Sequence, residues 1–301
     1  MNATLADLGV QTVRSTVPHP TRRRWAVGIG FLLARPLAIV GIATLLAWLG
    51  VMLFAPAITP VPPLKQDFSA RFAPPSREHP FGTDKLGRDQ LSRVAYSARI
   101  SIPVGVMVIT LAAVIGVATG AAAGYRGGLV DETVMRVTDI FLAFPPIILA
   151  LAIAAALGPD LRNAMLALVV VWWPTYARMM RGVTLGIRQQ EYVQAAVATG
   201  AGAPRVLLRT ILPNAFMPLL VLATVDVGSG ITAAAALSYL GLGVRPPTPE
   251  WGAMVADGAQ ALNQWWLATF PGLAIFSVVM AFNLTGDAVQ DALDPRLRGG
   301  Q

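Results

Sequence analysis

The stretch EYVQAAVATGAGAPRVLLRTILPN, residues 191–214, interrupts a chain that is apolar on both sides of it. Residues 187–200 read as a helix in which Tyr192, Ala195, Ala196 and Thr199 share a modest face. Gly200 ends that helix, glycine being the usual residue just past a helix C-terminus. Ala201-Gly202-Ala203 turns the chain, and Pro204 starts a second helix, because proline's fixed φ suits the first helical position. Val206, Leu207, Leu208 and Ile211 form its apolar side, and Pro213 and Asn214 precede the next apolar run. The result is a helix-turn-helix elbow with small residues at its tip, which lets another protein surface approach closely. An ordinary amphipathic interhelical loop is the plainer alternative.

The surroundings of the elbow decide the solvent. Of 301 residues, 55% are hydrophobic and only 13% charged, about half the charged share of a soluble domain, which points to lipid. A helix crosses the hydrocarbon core with about 20 apolar residues. Six segments meet that length, at about 37–56, 102–123, 138–157, 163–183, 215–240 and 267–287. The first follows Arg22-Arg23-Arg24 and competes with a cleaved signal peptide, but it is long and has no clear small-residue cleavage site. The expected fold is an all-α membrane protein with six transmembrane helices.

Arginine placement orients those spans. With the N-terminus inside, segments 1–36, 124–137, 178–214 and the tail after 288 hold Arg14, Arg22, Arg23, Arg24, Arg35, Arg126, Arg136, Arg178, Arg181, Arg188, Arg205, Arg209, Arg296 and Arg298. The two short outside loops hold only Arg162 and Arg245, while the longer outside loop at 57–101 holds seven more basic residues but also Asp67, Glu78, Asp84 and Asp89. Both termini are expected inside, and the elbow with them. The chain then divides into a cytoplasmic tail (1–36), a first span (37–56), an extracytoplasmic loop (57–101), a core with the elbow at 187–214 (102–290) and a second cytoplasmic tail (291–301).

Several polar or small residues stand out within this frame. Gly116, Gly120 and Gly124 recur every four residues and share a helix face, a small-residue stripe that lets helix backbones approach within a multi-helix bundle, with contacts between subunits expected as well. Asp226 lies inside the fifth span, where an ionisable residue is costly and faces protein or water. It lines a translocation path or is a buried group satisfied by a neighbouring helix. Asn283, Asp287 and Asp291 lie four apart at the end of the sixth span, within reach of the arginines of the 178–209 region. In the outer loop, Leu91, Val94, Ala95 and Ala98 share one face from Arg88 onward, while Arg88, Arg93 and Arg99 lie mostly elsewhere. That pattern predicts a short amphipathic helix on the membrane surface, with Thr83 and Asp84 capping it or a preceding turn.

Other chemistries lack their residues. There is no cysteine, which excludes disulfides and thiol catalysis, and His19 and His79 are too few and too far apart for a histidine metal site. Gly82-x4-Gly87 fails as a phosphate loop because Arg88-Asp89 replaces Lys-Ser/Thr. No basic stripe is interleaved with aromatics, so nucleic acid is not a partner. Nothing resembles a catalytic constellation, and energy for active transport has to come from another chain or an ion gradient.

At the elbow the sequence resembles a known family. Ala195, Ala196, Gly200, Leu212 and Pro213 match, at the right spacing, the EAA signature of permease subunits of bacterial ABC importers. Gln194 stands where glutamate is usual and Thr210 where isoleucine is. HPFGTDKLGRDQLSR, GYRGGLVDETVMRVTDIFLAFP, ALSYLGLGVRPPTPEWGAM and NLTGDAVQDALDPRLRG are similar to signatures of the dipeptide/oligopeptide/nickel subfamily, specifically its C-type subunit. Together these cover about residues 30–300. Ala234 departs from the subfamily, whose members often carry an acid there; Asp226, eight residues earlier, is a candidate to replace some of that polarity.

The resemblance implies a type I importer permease fold in the bacterial inner membrane. It implies a heterodimer with a homologous permease, two cytoplasmic ATPase subunits and an extracytoplasmic solute-binding protein. The elbow, through Glu191, Tyr192, Gln194, Ala195, Ala196, Gly200, Ala201, Leu212 and Pro213, would be a coupling helix seated on an ATPase. ATP and Mg2+ would be bound by those partners, and no cofactor by this chain. Short peptides are the expected cargo, with nickel chelates and small glycosides next. An ion-driven secondary transporter is the main alternative class; a single mid-span carboxylate and no clear internal repeat weigh against it.

Overall fold

The computed structural model describes residues 35–293. The basic triplet at 22–24, His19 and the arginines after 293 lie outside the described residues. The helices are α1 (Pro36–Ile58), α2 (Gln90–Arg126), α3 (Gly128–Leu142), α4 (Pro146–Leu157), α5 (Leu161–Arg188), α6 (Glu191–Ala198), α7 (Ala203–Val206), α8 (Leu212–Tyr239), α9 (Trp251–Ala259) and α10 (Trp266–Leu293). Among the described residues, four helical stretches are long and apolar enough to cross a membrane: α1, α2, α7 through α8, and α10. The bent pair α3–α4 adds a fifth if counted as one span. At 28 residues, α5 is about 42 Å long at 1.5 Å per residue, but Arg178, Arg181 and the polar side of Trp172–Tyr176 reduce its apolarity.

Three expectations change. The segment 138–157 is not one straight helix: α3 and α4 meet at 91°. Pro145 and Pro146 cause the break, since neither donates an amide hydrogen bond and each drives the preceding residue out of the helical region. The second arm of the elbow is not a separate helix either. It runs on through five π-helical residues, Leu207–Ile211, into α8. Pro213 gives a reason for the wider turn, because its ring would clash with the carbonyl four residues back; there the Leu212 amide donates to Leu207, five residues back.

The third change concerns the outer loop. Residues 90–101 are not a surface helix but the first turns of the 37-residue α2. Its cap is Asp89, which accepts from the Ser92 amide at 2.8 Å. Asp84 closes the turn before it, accepting from the Leu86 and Arg88 amides and from Arg88 Nε at 2.6 Å. Arg88 and Arg93 are buried, and Arg93 comes within 3.6 Å of Asp84. The helical periodicity was correct and the apolar face at Val94, Ala95 and Ala98 is buried. Arg88 and Arg93 pack inside as well because a carboxylate from the loop is there to receive them, while Arg99 stays exposed.

Helices α2 and α5 form the most extensive pair, and α8 packs on both α2 and α10. The seam between α2 and α5 runs along the three glycines. An added Cβ would sit 2.5 Å from the Trp173 carbonyl oxygen at Gly116, 2.2 Å from that of Ala177 at Gly120 and 2.8 Å from Thr184 Cβ at Gly124. This close approach lies within one chain.

Short α9 locks the end of the bundle that carries the 59–89 loop. Trp251 is fully buried, donates to the Val94 carbonyl of α2 at 3.0 Å and meets Trp48 of α1 edge-on. Gly252 lies against the Ala235 backbone of α8, and Gly258 against Ala268 of α10. Four long helices are thus held by one nine-residue element.

Candidate functional site: the elbow and its attachments

The first arm of the elbow is nearly all surface. In α6, Val193 is buried and Ala196 half-buried, while Glu191, Tyr192, Gln194, Ala195, Val197 and Ala198 are exposed. Glu191 sits in the first turn, where a negative charge suits the helix dipole. At the other end Gly200 has φ of +88°, and the chain closes a Schellman cap. Ala201 N–H donates to the Ala196 carbonyl at 3.0 Å and Gly200 N–H to that of Val197 at 2.9 Å. Ala201 and Leu212 are half-buried and Pro213 exposed.

Only Gln189 and Gln190 separate α5 from α6, and both are engaged. The Gln190 amide donates to the Ile187 carbonyl and the Val193 amide to that of Gln190. Gln194 Nε2 donates to the Gln189 carbonyl at 3.2 Å, a bond that an ionised glutamate at this position could not make. Beside the joint is a groove of about 560 Å³ lined by Tyr125, Leu185, Arg188, Gln189, Val193, Gln194, Val197 and Ala198. The Arg188 guanidinium lies 5.7 Å from the Tyr125 ring centre, within cation–π range.

Two ion pairs tie the same end of α5 to α3. Arg181 grips Asp131 with both a 2.5 Å and a 2.6 Å hydrogen bond, and Arg178 donates to Asp139 at 2.5 Å. Arg178 and Arg181 therefore pair with α3, not with the stripe on α10. On that stripe Asn283 and Asp287 are exposed, and Asp291 pairs with Arg35 ahead of α1. Asn283 also lies close to Gly228 of α8.

Deeper in the bundle, Asp226 of α8 accepts from the Tyr176 hydroxyl of α5 at 2.8 Å. Tyr176 is fully buried against Gly116, so the glycine stripe and the mid-span carboxylate meet at one side chain. Sequence reasoning missed Tyr176, and nothing in its local context marks it. It also missed Glu250, which caps α9 by accepting from the Ala253 amide at 3.0 Å and takes a bond from Ser101 of α2 at 3.1 Å. Burial pushes this carboxyl above its ordinary value, against the opposing hydrogen bonds from the Gly252 and Ala253 amides and the Ser238 and Ser101 hydroxyls.

The sequence pattern of binding-protein-dependent transport system inner membrane components fits residues 116–299, more than half of the chain. The chain belongs to that family. The permease is 43% identical to the probable D,D-dipeptide transport system permease protein DdpC of Escherichia coli (strain K12), over 93% of this chain and 95% of the relative. It is 46% identical to the dipeptide transport system permease protein DppC of the same organism, over 87% and 89%. It is 41% identical to that of Alkalihalophilus pseudofirmus, over 91% and 90%. The permease is therefore a multi-pass membrane component of a transport system.

Proposed function

We propose that this chain is one permease subunit of an ATP-driven ABC importer for short peptides, and that it forms half of the translocation path with a homologous permease. The observation that carries the reading is the elbow. A solvent-exposed helix, closed by a Schellman cap, is joined to one long helix by two engaged residues and, across the turn at 199–202, to the helix that runs unbroken from Ala203 through α8. Such an element can be pushed as a rigid lever, which is the logic of two-state switching by rigid-body motion. Relatives that cover nearly the whole chain carry dipeptide permease names, which supports peptides over nickel chelates or glycosides.

The membrane is crossed six times in this proposal, by α1, α2, the broken pair α3–α4, α5, α7–α8 and α10, with both termini in the cytoplasm. The coupling helix is α6, seated on a cytoplasmic ATPase subunit that binds ATP and Mg2+. A solute-binding protein delivers cargo to the opposite side. Asp226 and Tyr176 fasten α5 to α8 along the path.

The chain has no cysteine, so single thiols report topology cleanly. In intact cells a membrane-impermeant maleimide should label Gln66→Cys and spare Ala198→Cys; the reverse pattern overturns the orientation. The permease, reconstituted with its partner permease, ATPases and binding protein, should accumulate a labelled dipeptide only with ATP. Ion-gradient uptake by the isolated chain, or a binding protein that holds nickel chelates or sugars but no peptide, would refute the activity or the cargo.

A further inference from the structure

Helix α3 has little apolar packing to hold it. Thr138 is the one buried residue along its fifteen, and Leu129, Val137 and Ile140 are exposed. Packing by close-fitted side chains transmits displacement because the interior is dense, and α3 lacks most of that. Besides its chain connections to α2 and α4 and its packing on α2, what fastens it to α5 is an edge-on contact of Phe141 with Trp173 and two ion pairs, Asp131 with Arg181 and Asp139 with Arg178. The arginines lie three apart and share a face of α5, and Asp131 and Asp139 lie eight apart on α3, close enough in azimuth to meet them.

The two pairs differ in strength. Arg181 and Asp131 are partly shielded, at 34% and 19% exposure, and the fork is bidentate, the geometry that makes arginine–carboxylate pairs specific. Arg178 and Asp139 are more exposed, at 55% and 63%, and contribute less. Seven residues beyond Arg181, α5 ends and the elbow follows after Gln189–Gln190. On the third side, Gly124 of α2 touches the Arg181 carbonyl and Thr184, so α2, α3 and α5 converge at this end of α5.

We infer that Asp131 and Arg181, assisted by Asp139 and Arg178, are positioning residues that make the bent α3–α4 element follow the coupling helix. This rests on the reading of α6 as the coupling helix. When α6 is pushed, α5 moves with it through its short joint, and the clamp draws α3. Because α3 and α4 meet at 91°, a shift along α3 swings α4 sideways. With the clamp open, α6 still docks and ATP is still hydrolysed, but the bent element no longer follows.

The test uses the whole reconstituted transporter with labelled alanyl-alanine and measures peptide imported per ATP hydrolysed. Asp131→Asn should lower that ratio about ten-fold, within the usual range of intersite coupling, while ATPase turnover stays within about two-fold. Arg181→Lys, which keeps the charge but loses the fork, should fall between. The exchange Asp131→Arg with Arg181→Asp should restore most of the ratio. An unchanged ratio in Asp131→Asn, an ATPase rate that falls in step with import, or an exchange that restores nothing each overturns the inference. Ala196→Trp on the exposed arm separates the two readings. If it uncouples the transporter while Asp131→Asn does not, the clamp alone is wrong; if it too imports normally, the coupling-helix reading itself fails.

Discussion

Replacing Gly120 by alanine should wedge α2 and α5 apart. The new Cβ would lie 2.2 Å from the Ala177 carbonyl oxygen and 2.9 Å from Ala177 C and Cα, about 1.2 Å short of the 3.4 Å at which ordinary contact begins. The obstacle is helix backbone, which cannot rotate aside like a side chain. Nor can α5 simply tilt, because Gly116 and Gly124 also hold the seam closer than ordinary contact, at 2.5 Å and 2.8 Å, one turn to either side. Overpacking of this kind costs about 1–3 kcal/mol. Gly50→Ala in α1 is the control: nothing lies within 4 Å of its added Cβ, and alanine gains up to about 1 kcal/mol over glycine in a helix interior. Thermal unfolding of the purified transporter, followed by tryptophan fluorescence, should show a lower midpoint for Gly120→Ala and an unchanged or higher one for Gly50→Ala. Because α5 carries the elbow, Gly120→Ala should also lose transport per ATP. Equal midpoints for the two variants would refute the backbone-contact argument.

Gly200→Ala forces an L side chain into φ of +88° at a cost of about 1 kcal/mol. It should loosen the Schellman cap, seen as faster proteolysis at 199–203 and weaker coupling of ATPase to import. Asp226→Ala leaves the buried Tyr176 hydroxyl without its acceptor, costing about 1–3 kcal/mol, whereas Asp226→Asn retains an acceptor and should unfold at a higher temperature. Equal loss of import in both variants, with no difference in midpoint, would assign Asp226 a charge-dependent role in the path instead. Because burial raises the Glu250 carboxyl above its ordinary 4.5, the folded state holds this proton more tightly than the unfolded state. Stability from this group should therefore fall as pH rises from about 4.5 through the raised folded value, then level off; Glu250→Gln should remove that slope from a midpoint-against-pH curve. Gln194→Glu removes the donor to the Gln189 carbonyl and faces a carboxylate toward an acceptor. It should loosen the α5–α6 joint, measurable as faster amide exchange at 189–194.

The elbow was the most legible part of the chain because its signals are local. A glycine that must take positive φ and a proline near a helix start act within a few residues, and Gly200 and Pro204 mark the turn without reference to the rest of the fold. The glycine stripe was legible for the same reason. The double proline at 145–146 was equally local, yet apolar length obscured it: hydropathy over a 20-residue window ignores a missing amide donor. The outer helix shows the opposite failure. Its period was readable, but the burial of Arg88 and Arg93 alongside its apolar face depended on Asp84, a residue of the preceding turn.

What the sequence alone determined is the class of solvent, the positions of most apolar helices and the turn between α6 and α7. Composition, period and capping depend on a residue and its near neighbours. What only the tertiary structure decided is pairing: Asp131 with Arg181, Tyr176 with Asp226, and Asp291 with Arg35. Each joins residues at least 50 positions apart. Arginine and aspartate carry no address for one another, since a charge attracts any opposite charge within reach. Which one comes within reach is set by how the helices pack, and the close α2–α5 seam does much to set that.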